Sequence, residues 1–213
     1  MVDNNKSLIV IVLDRSGSMS SIRDDTIGGI NTFLADQQKL PSECNLTFTQ
    51  FDDVYEIVHH NVPLNRIKPL DQTTFVPRGS TALLDAIGRT INTVGVELAT
   101  LPEEQRPGKV FFTIFTDGEE NASKEFSREQ VFEMIKKQRE EFKWEFIFLA
   151  ANQDAIQTSQ TMGMGASSSM TCNSTSAGIK GTYDALSKKL GDVRLKRSST
   201  VDFDDNDRSS ASQ

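Results

Sequence analysis

Asp14-Arg15-Ser16-Gly17-Ser18 places one carboxylate and two hydroxyls at alternate positions, directly after the apolar run Ser7 to Leu13. Hard oxygen donors gathered where a buried strand runs out suit a divalent cation. Ser and Asp are also the commonest residues where a strand turns into a helix, so capping is the competing reading for Ser16 and Ser18. Two distant segments weigh against capping alone. Gly79-Ser80-Thr81 offers another hydroxyl, and Thr116-Asp117-Gly118 ends a second apolar run with another carboxylate.

Together, Asp14-x-Ser16-x-Ser18, Thr81 and Asp117 resemble the von Willebrand factor A (VWA) domain, whose metal-ion-dependent adhesion site (MIDAS) reads D-x-S-x-S, then a Thr, then an Asp. The likeness covers roughly residues 5 to 190 and is closer to stand-alone bacterial or phage versions than to domains embedded in adhesion receptors. It implies that Ser16, Ser18 and Thr81 give hydroxyl ligands, with Asp14 and Asp117 binding directly or through water. Two carboxylates at most balance a divalent ion and neutral hydroxyls do not quench it further, so such a metal stays electrophilic. Mg2+ suits this donor set, Mn2+ fits the same ligands, and Ca2+ usually takes more carboxylate. In the family the open coordination position takes an acidic side chain of another protein, so the implied partner offers Glu or Asp. The resemblance also implies coupling between the site and the last helix, near Ser174 to Leu190.

Two other chemistries share part of this pattern. An EF-hand loop has Gly at its sixth position and Glu at its twelfth, where this chain has Met19 and Asp25. A Mg2+-dependent phosphohydrolase of the haloacid dehalogenase type would use Asp14 as nucleophile. That reaction needs a second acid two residues on to protonate the leaving group, and Ser16 stands there. No Ser-His-Asp set is evident either; His59 and His60 are adjacent in a strand and so point to opposite faces, which suits surface or edge packing. The function that the resemblance implies is a non-enzymatic interaction module.

Composition agrees with that class. Of 213 residues, 37% are hydrophobic and 25% charged, the balance of a globular domain with a substantial core. A formal net charge of -7 disfavours nonspecific nucleic-acid binding, which needs a basic surface. Cys44 and Cys172 lie far apart without metal spacing and read as reduced thiols. The apolar run after Lys6 ends in Asp14 instead of a small-residue cleavage site, and no stretch approaches the ~20 residues of a membrane span. A cytoplasmic location is expected.

The elements that must position the donors follow from periodicity. Ser7 to Leu13 lacks polar alternation, as in a central strand covered on both faces. A helix over about residues 20–39 carries Ile22, Ile27, Ile30, Phe33 and Leu34 and ends at Pro41; Gly28-Gly29 weakens it or lets it sit close to the sheet. Leu46 to Phe51 alternates with period two and is followed, after Asp52-Asp53, by Val54 to Val58, which permits only an antiparallel edge hairpin. Thr81 is expected to serve as ligand and as the opening of a helix from Ala82 to about Leu98. Lys109 to Thr116 is a second buried strand delivering Asp117; Glu119-Glu120-Asn121 reads as a solvated loop or as water-mediated support for the cation. A helix from about Ser127 to Glu141 opens with a Ser127/Gln130 capping box, and Trp144 to Ala151 is a third buried strand. A short helix near Asp154 to Met162, a strand near Ser168 to Thr171 and a helix over about Ser174 to Leu190 complete the pattern. Met162-Gly163-Met164-Gly165 lacks the Lys and the context of a phosphate-binding loop. The result is an α/β doubly wound, mostly parallel sheet with one antiparallel edge strand and helices on both faces over residues 1–190. Residues 191–213 are polar and expected to be a disordered tail, in which Arg194, Lys196 and Arg197 precede a conceivable kinase site at Ser198-Ser199-Thr200.

Overall fold

The computed structural model describes residues 2–151 and 154–213. The elements are β1 (Asp3–Asp14), α1 (Arg23–Gln38), β2 (Glu43–Phe51), β3 (Tyr55–Pro63), α2 (Leu83–Thr100), β4 (Pro107–Thr116), α3 (Arg128–Phe142), β5 (Glu145–Ala151), α4 (Ala155–Thr161), β6 (Ser169–Cys172), α5 (Ser176–Arg194) and α6 (Asp205–Ala211). They form one six-stranded sheet of order β3-β2-β1-β4-β5-β6. Every pairing is parallel except that of β2 with β3, the hairpin at one edge.

β1 is central because its side chains are apolar on both faces. Ile9, Ile11 and Leu13 pack with Ile30 and Phe33 of α1 and Ile179 and Leu186 of α5. Leu8, Val10 and Val12 pack on the other side with Ile87 and Ile91 of α2 and Val131 and Ile135 of α3. Successive strand residues point to opposite faces, so one uninterrupted run supplies two core layers. The chain leaves β1 toward β2 and returns on its other side as β4. The carboxyl ends of β1 and β4, paired through Leu13 and Phe115, therefore meet where a doubly wound sheet opens a crevice.

Gly28-Gly29 brings α1 close to another helix and not to the sheet. A Cβ on Gly29 would lie 2.1 Å from the Tyr183 ring of α5, whereas none of the neighbouring atoms comes within 4 Å of one on Gly28. The Ser127/Gln130 capping box forms as read from the sequence.

The expected disordered tail is corrected. α5 continues to Arg194, and the segment beyond it folds back along β6: the Phe203 N–H donates to the Ser167 carbonyl and the Asn173 N–H to that of Ala211. Val201, Phe203 and Ala211 are buried in the layer holding Ile179 and Leu186. A capping box between Asp204 and Asp207 starts α6, and Lys189 bridges both carboxylates at 2.8 and 3.0 Å. Three apolar residues spaced among Ser, Asp and Arg show no helix or strand period, yet each reaches a pocket that α5 and β6 leave open. Arg194, read as part of a kinase-directing run, is 7% exposed and donates to the carbonyls of Gln37 and Ser42.

Phe203→Ala is expected to destabilise the fold by about 3 kcal/mol, as for a buried Phe, read from the urea midpoint; a change within about 0.5 kcal/mol, typical of surface sites, would show the segment undocked. Lys189, with the amides of Asp207 and Asn206, holds the Asp204 carboxyl down at about 2. Its contribution is thus complete above the ordinary carboxylate value and lost as pH falls through about 2. Asp204→Ala should therefore be less stable than wild type at neutral pH, with the gap closing in acid.

Candidate metal centre

β1 delivers Asp14 to a point with no solvent exposure. Its Oδ1 accepts the Ser16 N–H at 2.6 Å and its Oδ2 accepts the Thr116 hydroxyl at 2.6 Å. Burial nevertheless raises its pKa to about 6, with Thr116 and Ser16 pulling the other way and the negative Asp117 adding to the rise. Burial also raises Asp117, whose Oδ1 accepts the Ser18 hydroxyl at 2.7 Å. Ser18 and Ser16 stand with their hydroxyl oxygens 3.1 Å apart.

Thr81 reaches this group from the long connection between β3 and α2. A Cβ on Gly118 would lie 3.2 Å from Thr81 Oγ1, 3.5 Å from Ser18 Oγ and 4.0 Å from Ser16 Oγ. The three hydroxyls thus lie within 4 Å of one point beside Asp117, where a Cβ at 118 would stand in tight contact with Thr81. Ser16 and Thr81 are buried whereas Ser18 is exposed and Asp117 half-buried, so the cluster opens to solvent on one side. All five donors expected from the sequence are brought to the carboxyl ends of β1 and β4.

The donor set fits a hard divalent ion: oxygen only, two carboxylates, three neutral hydroxyls on fixed backbone. Among the described residues no group of three or more His, Cys, Asp or Glu gathers to hold a metal, so hydroxyls have to complete a cation site here. Nor does a Lys or Arg bridge Asp14 or Asp117 among the described residues. Ser16, Ser18, Thr81, Asp14 and Asp117 are the residues that would hold the ion.

Much of what locks the three loops together was not legible in the sequence. Arg15, between two donors, is buried and turns away from them, its Nε 3.1 Å from Asp52 Oδ2 and its Nη1 2.5 Å from Glu56. Asp52 also takes Arg78 Nε at 2.8 Å, and its carbonyl accepts the Ala82 N–H. Backbone bonds from Arg78 to Arg15 and from Gly17 to Gly79 strap the Thr81 loop to the first. The Thr81 N–H donates to Asn121 Oδ1 at 2.9 Å, while the Thr81 carbonyl accepts the N–H groups of Asn121 and Ala122. An Asp in a hairpin turn and an Asn in a polar loop are ordinary turn residues. The single local hint was Asp52 sitting where the hairpin turns.

The capping expected of Thr81 falls to Glu120. Thr81 does not cap α2, whose boundary residue Ala82 carries no side-chain cap. Instead Glu120 Oε2 accepts the Leu84 N–H at 2.9 Å and Ser123 Oγ accepts that of Asp85 at 3.0 Å. Asp85 returns the favour, taking the N–H groups of Lys124, Glu125 and Phe126. Glu120 and Asn121 thus bond directly to the entry of α2 and to the backbone of the third hydroxyl, while Glu119 stays exposed.

No protein-family model and no curated protein sequence matches the chain. Solved structures do. A von Willebrand factor type A protein from Catenulispora acidiphila superposes with a TM-score of 0.55 at 12% identity, over 86% of this chain and 42% of that one. Proximal thread matrix protein 1 from the mussel byssus, with a zinc-occupied MIDAS motif, gives 0.54 at 15% identity, over 89% and 45%. The ArnB paralog VWA2 from Sulfolobus acidocaldarius gives 0.53 at 14% identity, over 86% and 45%. This chain spans less than half the length of each of these three. At such identities the likeness concerns architecture, and the architecture of this chain is that of the VWA fold.

Proposed function

We propose that this chain is a metal-dependent, non-enzymatic interaction module that holds Mg2+, or Mn2+, through Asp14, Ser16, Ser18, Thr81 and Asp117 and captures a Glu or Asp of another protein. The observation that carries the reading is the convergence of three hydroxyls and Asp117, from three separate loops, around Gly118. A bound divalent ion would supply an electrophilic point for a carboxylate oxygen. The chain's own residues do the rest. Asp14 and Asp117 bring the negative charge that retains a cation, Thr116 and the Ser16 amide orient Asp14, and Asn121 fixes the backbone of Thr81. The exposed side at Ser18 and Glu119 leaves room for an incoming side chain. The mussel protein, similar in fold, carries a zinc-occupied MIDAS motif, which supports a divalent ion here. The place where a phosphohydrolase would need its acid carries Ser16, whose hydroxyl faces Ser18. A cytoplasmic setting is part of the proposal, and among the described residues no helix is long and apolar enough to cross a membrane.

Calorimetric titration with Mg2+ should give one saturable site, lost in Asp14→Ala while the circular dichroism spectrum is kept. Absence of Mg2+ and Mn2+ binding by the wild type would overturn the metal assignment. Asn121→Ala, which touches no donor atom but frees the Thr81 amide, should weaken Mg2+ by about tenfold, the lower end for outer-shell partners. Pulldowns from the native host should lose the partner on addition of EDTA; recovery of the same partner with and without EDTA would refute metal-mediated capture.

A further inference from the structure

At the opposite end of the sheet, β1 begins beside the carboxyl end of α5. Seven residues of strand stand between Lys6 and Asp14, roughly 25 Å at the usual rise. A cleft of about 550 Å³ opens there, within the size range of small-molecule sites. Five cationic side chains line it, Lys6, Lys109, Arg194, Lys196 and Arg197, and no carboxylate does. This is a concentration of positive charge on a chain whose formal net charge is -7.

Some of that charge is paired with carboxylates outside the lining, and Lys109 also donates to the Ser199 carbonyl at 2.9 Å. Lys6 lies 3.8 Å from Asp3 and 3.5 Å from Glu43, Lys109 3.2 Å from Glu145, and Arg197 3.5 Å from Asp192. Lys196 and Arg194 have only neutral partners: Lys196 Nζ meets Asn5 Oδ1 at 3.2 Å, and the Arg194 guanidinium meets Gln37 and the Ser42 carbonyl. Arg194 is more than nine-tenths buried, and its Nε has no hydrogen-bond partner; the Ser42 hydroxyl, also lining the cleft, is buried and unpartnered too. Buried polar groups without partners cost stability unless something satisfies them.

Lys196 itself is held at φ +59. It closes α5 in a Schellman turn, its N–H bonded to the Val193 carbonyl and that of Arg197 to the Asp192 carbonyl. Glycine is the residue that takes this conformation without steric cost. Cations at a helix carboxyl end also answer the helix dipole, which accounts for Arg194, Lys196 and Arg197. It does not account for Lys6 of β1 and Lys109 of β4, which reach the same cleft from the sheet.

We propose that this cleft is a phosphate-binding site, taking the phosphate of a small polar molecule through Lys6, Lys109 and Lys196, with the buried Arg194 guanidinium adding positive charge beside it. A phosphate dianion accepts several charge-assisted hydrogen bonds at once, the need that this donor set presents. The site is independent of the metal centre, so its test is run in EDTA.

Phosphorus NMR at neutral pH, with chloride holding ionic strength constant, should show saturable line broadening of inorganic phosphate or of glucose 6-phosphate. Tighter binding of the ester identifies an organic phosphate as the ligand, and equal binding identifies the free ion. Lys196→Gly removes one donor while giving the turn its preferred residue. It should raise Kd by about tenfold, as expected for one lost charge-assisted contact, while keeping or raising the thermal midpoint. Lys6→Gln, on a different element, should weaken binding by a similar factor. No saturable broadening by either probe at millimolar concentration, or unchanged affinity in both folded variants, would overturn the assignment.

Discussion

A carboxylate with no solvent exposure at the end of a central strand is the constraint around which this molecule is arranged. Asp14 is answered by two short hydrogen bonds from neutral donors, and Asp117 stands close enough to raise its pKa further. The nearest guanidinium, Arg15, lies one residue away, yet it points across the loop toward Asp52 and Glu56. Negative charge is thereby kept on one side of the β1 loop and a compensated ion pair on the other. Buried ion pairs are weak sources of net stability. This one joins the β1 loop, the β2–β3 hairpin and the approach to α2, so its contribution is to position as much as to stabilise.

Hydroxyls are weak ligands on their own, so a site that relies on three of them has to fix their backbone beforehand. The chain does so with reciprocal bonds between loops. Thr81 is held on its N–H by Asn121 and on its carbonyl by two amides, and the first turn of α2 is satisfied by Glu120 and Ser123. Each such bond contributes about 1 kcal/mol net. Together they make the loop after β4 and the entry to α2 one unit. Displacing either would move the third hydroxyl.

The two ends of the sheet have opposite chemistry. The carboxyl end of β1 gathers acids and hydroxyls, whereas its amino end gathers cations from β1, β4 and the close of α5. The C-terminal segment contributes to this division. By docking Val201 and Phe203 against the α5 layer it carries the chain past Lys196 and Arg197 and keeps them beside Lys6 and Lys109.

The sequence by itself determined the layers and pointed to the candidate donors. The runs Leu8–Leu13, Val110–Phe115, broken only by a buried Thr113, and Phe146–Ala151 have no solvated face, which requires a parallel sheet covered on both sides, and the short Asp52-Asp53 connection requires one antiparallel edge. Among the candidate ligands, Asp14 and Asp117 were legible because strand ends deliver them, whereas Thr81, on the long connection between β3 and α2, came from the resemblance. The tertiary structure alone decided how the donors are held. The Arg15–Asp52–Arg78 bridge, the Asn121–Thr81 bond and the Glu120 cap join residues tens of positions apart, and none has a local period or turn signal distinct from an ordinary polar loop. The C-terminal segment was hidden for a related reason. Its polar composition describes its exposed surface, while its order comes from a few apolar side chains whose pockets exist only after α5 and β6 have packed.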